Sequence, residues 1–278
     1  MKATKKIVGA TAALVAAVAL SAGSTFAWFA TNNTVDVTGM NVSVTSGNSL
    51  WVSETNSTSG FVTSLSLDDA SLSGAVPCSS DGVASWSSSY SAPDFYKLKT
   101  AGNDITNTSG NVDLNSASVF EVANANSDYI AKNLWIQAEG LEGASTKDIQ
   151  VSVAINGASS DIHNSLRILF ITESTSAVGN TVWFAPTGAA YGENKGPIVA
   201  IDTDGTPSSL ATAPTLNQTG TKIESATGVE LIDSITESTP VALHMYIWFE
   251  GQDTACTASN VDATQLSISV RFSLVDHT

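Results

Sequence analysis

Three stretches of this chain alternate apolar and polar residues strictly, and no stretch beyond the first 27 residues sustains a helical period. Ile149, Val151, Val153 and Ile155 are interleaved with Gln150, Ser152 and Ala154, and Leu266, Ile268, Val270, Phe272 and Leu274 with Ser267, Ser269, Arg271 and Ser273. Val241, Leu243, Met245, Ile247 and Phe249 repeat the pattern, with His244, Tyr246 and Trp248 facing the other way. Period two is the signature of strands with one buried face. Weaker strands are predicted over 61–67, 94–98, 119–122, 129–138, 165–172, 181–185, 197–201 and 229–232. All 7 prolines fall between or at the ends of these runs, where a missing N–H does no harm. Serine and threonine number 70 in 278 residues, which suits strands joined by polar loops, and a hydrophobic content of 42% is too high for a disordered chain. The expectation is an all-β fold, an antiparallel sandwich or jelly-roll-like single domain of about a dozen strands. Ser79–Pro93, Thr100–Ser118 and Asp202–Lys222 read as surface loops, and one helical turn is predicted at Val261–Gln265.

The first 27 residues predict the compartment. Lys2, Lys5 and Lys6 precede an uncharged run from Ile7 to Ala22, and Thr25 and Ala27 occupy the −3 and −1 places of a small-residue cleavage site. This is the order of a secretory signal peptide, and the apolar run is shorter than the roughly 20 residues that span a bilayer. The expected organisation is a signal peptide over 1–27, an extended segment over 28–46, and a sandwich domain with loop insertions over 47–278. The mature chain is expected to be exported without a stable membrane anchor. Loss of the three lysines leaves 8 basic against 26 acidic residues, a net charge of −18. Such a chain repels phosphates, so nucleic acid is excluded as a partner.

The new N-terminus would begin with Trp28 and Phe29 and continue into a Thr/Val-rich segment. Val35 and Val37 share one face, whereas Met40, Val42 and Val44 have the opposite parity unless one extra residue resets the phase. Gly39 sits at that change, where a β-bulge is expected. An apolar strand at a terminus has to be paired, either as the first strand of its own sandwich or in the sheet of a neighbour. The stretch Gly23–Phe29, the segment after it, and the closing residues Tyr246–Asp253 with Cys256 resemble the TasA and camelysin (CalY) proteins, whose leaders are cut by the signal peptidase SipW. The resemblance covers the first 45 and last 40 residues, about a third of the chain. It implies export through a SipW-type peptidase and a fibre in which the N-terminal segment of one copy docks in the next. Val35, Val37, Gly39, Met40, Val42 and Val44 would then form the donor strand, with Trp28 and Phe29 as its anchor and other copies of the chain as its partners.

Chemistry is sparse. His163, His244 and His277 form no HExxH or other i, i+4 pair, so the zincin arrangement is missing although camelysin relatives carry a metallopeptidase name. No GxSxG elbow, phosphate cradle or nominated carboxylate pair occurs, and no cofactor or enzymatic activity is expected. Asp202-Thr203-Asp204-Gly205 resembles the opening of a calcium loop but lacks its closing glutamate, and a plain turn is the simpler reading. Cys78 and Cys256, the only 2 cysteines of an exported chain, are expected to form one disulfide. The expected function is therefore a structural subunit of an extracellular matrix fibre or surface filament. The alternative is a monomeric adhesin or glycan-binding module using Trp86, Tyr90 and Trp183; a secreted metallopeptidase is a third.

Overall fold

The residues with period-two patterning form the longest strands. A computed structural model of the chain describes residues 35–37, 40–44, 50–57, 60–67, 72–75, 78–80, 82–98, 120–141, 147–156, 165–174, 176–186, 215–219, 222–225, 228–250 and 267–277. The N-terminal strands are β1 (Val35–Val37), β2 (Met40–Val44), β3 (Leu50–Ser53), β4 (Ser64–Leu67) and β5 (Leu72–Ala75). Five short ones follow: β6 (Ser79–Ser80), β7 (Ser85–Trp86), β8 (Tyr90–Ser91), β9 (Phe95–Leu98) and β10 (Phe120–Val122). Next come β11 (Ile130–Ala138), β12 (Lys147–Asn156), β13 (Leu166–Glu173), β14 (Val178–Pro186) and β15 (Thr215–Thr219). The chain closes with β16 (Lys222–Ser225), β17 (Val229–Ile235), β18 (Val241–Phe249) and β19 (Ser267–Asp276).

The fold is an all-β antiparallel sandwich. One layer runs β3-β11-β18-β13-β14 and the other runs from β16 and β17 through β12, β19 and β2 to β4, with β15 linking the layers. Two contacts in this sheet are parallel, β14 with β15 and β19 with β2. The alternating stretches deliver what they promise. Ile149, Val151, Val153, Ile155, Ile268, Val270 and Phe272 of one layer are buried against Leu243, Met245, Ile247 and Phe249 of the other. Phe170 on β13 spans the core, meeting Phe184 at 6.0 Å and Phe272 of the opposite layer at 6.2 Å, both edge to face.

Two expectations need correction. The β18 strand is buried on both faces, because residues 78–80, 82–98 and 120–129 fold over the outside of its layer as a cap. Under the cap lies a second core, in which Cys78, Phe95 and Tyr129 meet Leu169, Trp183, Tyr246 and Trp248. Phe95 stacks on Tyr129 at 3.9 Å and turns its edge to Trp248 at 5.3 Å. Ser79–Pro93, expected to be a surface loop, therefore supplies β6–β8 and part of this cap. Its first two serines go inside because each hydroxyl finds a partner: Ser79 donates to buried Glu250 at 2.5 Å and Ser80 to the Asp94 carbonyl at 2.7 Å. The second correction is Asp202–Lys222, part of which is strand. β15 pairs with β14 on one side and β16 on the other, so backbone ladders hold a segment that has no apolar pattern. The strand predicted at 197–201, the helical turn at 261–265 and the loop at 100–118 lie outside the described residues.

Candidate assembly strand and the residues around it

β2 occupies a slot between two partners. On one side Asn41, Val42, Ser43 and Val44 pair in parallel with Ser269, Val270, Arg271 and Phe272 of β19. On the other, Met40–Ser43 pair antiparallel with Ser64–Leu67 of β4. Met40 is 1% exposed and Val42 0%, so both expected knobs fill this chain's own core. At roughly 1.5–3 kcal/mol for each buried side chain, the pair contributes several kcal/mol to holding the strand in place. β1 belongs to a separate two-stranded sheet, pairing Val35 with Ala75 and Val37 with Leu72 of β5, with a register shift between Val35 and Val37. Gly39, the assigned bulge residue, lies outside the described residues, as do the side chains of Val35, Val37 and Val44. Trp28, Phe29, Thr25 and Ala27 also fall outside them.

The loop aromatics are placed differently from expectation. Trp183 is on β14 and 2% exposed, in the core beneath the cap rather than on a loop. Tyr90 is half-buried and lies flat on His244, with centroids 3.7 Å and planes 6° apart. Its hydroxyl is 3.0 Å from that of Tyr246. Burial first, and that contact second, push the Tyr90 phenol above its ordinary pKa. Trp86 stays half-exposed on the β7–β8 hairpin. Two of the three aromatics thus serve the cap, because a ring that stacks on a sheet buries more apolar area than one left in solvent.

His244 sits on β18 with Nδ1 2.8 Å from Asn133 Oδ1 and Nε2 3.1 Å from Glu173 Oε2. Burial lowers its pKa, and the Glu173 carboxylate opposes that shift. His277, just past β19, places Nδ1 2.8 Å from Asp148 Oδ1 on β12 and 3.1 Å from Asp233 Oδ1 on β17. Each of these three residues offers one ligand atom within 4.8 Å of the others, close enough for one cation to reach all three. With both ring nitrogens protonated the histidine itself supplies the positive charge between the carboxylates, and the group acts as a latch joining three strands. No local sequence pattern announces it, since its members are brought together only by the β12–β19 and β12–β17 ladders. Cys78 is buried and donates its thiol to the Asp128 carbonyl across 3.7 Å. Its expected disulfide partner Cys256, His163 and Asp202–Gly205 lie outside the described residues.

No protein-family model, curated protein or solved structure matches this chain. No helix among the described residues is long and apolar enough to cross a membrane.

Proposed function

We propose that this chain is an exported structural subunit that builds a homopolymeric extracellular fibre or surface filament by passing residues 34–44 from one copy to the next. The single observation that carries the reading is the slot around β2. This strand lies beside β19, far away in sequence and parallel to it, and joins β3 only through residues 45–49. A strand held this way makes the same hydrogen bonds and fills the same apolar pockets whether its own chain or a neighbour supplies it. Donation from copy to copy leaves each slot filled and each donor used, which is the head-to-tail geometry of an open fibre. The closed monomer is then the dormant form, and its own strand competes with the incoming one at a high effective concentration. A SipW-type peptidase would release the segment during export.

A crosslink across the slot tests this. Asn41 and Ser269 are register partners, so the double variant Asn41→Cys, Ser269→Cys places two thiols on adjacent strands. Filaments visible by electron microscopy that resolve into a covalent ladder on non-reducing gels are the expected result. Crosslinking only within monomers, with no filaments at any concentration, would overturn the reading in favour of a monomeric binding module.

A further inference from the structure

Lys97, Asn124 and Asp128 converge on one carboxylate oxygen at the rim of the cap. Lys97 Nζ lies 2.8 Å from Asp128 Oδ2, and the Asn124 side-chain amide Nδ2 lies 3.3 Å from the same atom. Since both nitrogens touch one oxygen, their separation cannot exceed the sum of 2.8 and 3.3 Å. The backbone holds the three residues in place. Lys97 is on β9 opposite Glu121, and the Ala123 N–H donates to the Phe95 carbonyl at 2.8 Å. The Asp128 N–H closes a turn onto the Asn124 carbonyl at 2.8 Å, and the Asn124 N–H donates to Asp128 Oδ2 at 2.7 Å. The Asp128 side chain is 7% exposed and that of Lys97 21%.

An amine, a carboxamide and a buried carboxylate at this spacing hold what an amide exchange needs: a nucleophile, an acyl donor and a proton carrier. We infer that Lys97 and Asn124 are joined by an intramolecular isopeptide bond whose formation Asp128 promotes. Lys97 gives a proton to Asp128, and the lone pair of Nζ attacks Cγ of Asn124. The tetrahedral intermediate collapses by breaking the Cγ–Nδ2 bond, and Asp128 returns the proton to the leaving nitrogen. The second proton of the attacking Nζ leaves with the departing group, so a lysine ammonium and an asparagine amide become one secondary amide and an ammonium ion. No oxidant, metal or nucleotide is consumed. Burial of Lys97 opposes its charge, but Asp128, helped by Glu121, outweighs this and raises its pKa. The amine is therefore delivered as ammonium, which is why a carboxylate in contact with it is required. The bond would close a covalent loop over residues 97–124. The inference is independent of the fibre reading, since a monomer would carry the same bond.

Intact mass of the purified mature protein tests it. The expected mass is below that of the sequence by one ammonia, about 17 Da, and proteolysis should yield a branched peptide linking Lys97 to Asn124. Lys97→Arg keeps the charge but replaces the nucleophile, and Asp128→Asn keeps the shape but cannot carry the proton. Both variants should show the mass of their sequence while still melting cooperatively. A wild-type protein at full mass overturns the inference. So does a deficit that persists in Lys97→Arg or Asn124→Ala, and a deficit that persists in Asp128→Asn removes Asp128 from the reaction.

Discussion

His277 lies one residue from the end of the chain, yet it ties three strands together. Its partners are Asp148 on β12 and Asp233 on β17; Glu230 adds negative charge, while Lys147 next to Asp148 pairs with Asp276. The hydrogen bond to Asp148 chiefly raises the His277 pKa, and the Ser234 backbone N–H, followed by His277, lowers that of Asp148. The histidine's contribution is complete below its unfolded pKa of about 6.5 and is lost as pH rises through its folded value. The aspartate's contribution is complete above about 3.9 and is lost as pH falls through its own folded value. The difference in melting temperature between wild type and His277→Ala should therefore be largest near pH 5 and shrink toward alkaline pH. A difference that grows with pH would sink the latch. Phe170 makes a simpler case. It is 0% exposed and touches aromatic rings of both layers, so Phe170→Ala should cost about 3–5 kcal/mol in chemical denaturation.

At the scale of elements, β2 is the strand whose environment matters most. Val42→Asp would place a charge in this chain's own core as well as in any neighbour's, so it should destabilise the subunit and not merely block assembly. A cleaner separation removes residues 28–44 and supplies the strand again as a peptide of residues 34–44. The shortened chain should lose several kcal/mol, and the peptide should restore its melting temperature in a saturable way. If the peptide has no effect, the slot does not accept a strand from outside. The elements also differ in how openly the sequence announces them. β12, β18 and β19 were legible because one face of each is apolar at every second position. β15 was not, since its stability comes from backbone ladders to β14 and β16 that leave no trace in hydropathy.

For the whole molecule, the dominant long-range term is charge. A net charge of −15, or −18 if residues 1–27 are removed, means that copies repel at low ionic strength, over a Debye length of about 30 Å at 0.01 M salt and about 8 Å at 0.15 M. Filament growth followed by light scattering should therefore accelerate as sodium chloride is raised across that range. A rate indifferent to salt would mean that strand release, rather than encounter, limits assembly.

The sequence by itself determined the fold class and the inner faces of the long strands, because burial on one side of a sheet imposes a period of two whatever the partner strand is. It also nominated the N-terminal segment, since apolar side chains there have to be covered by something. Tertiary structure alone decided what covers them. The slot between β19 and β4, the cap that buries Trp183, Tyr246 and Trp248, and the meetings of Lys97 with Asp128 and Asp148 with His277 all join residues far apart in the chain. Pairing of distant strands depends on how the whole core closes, and no local pattern of residues records that.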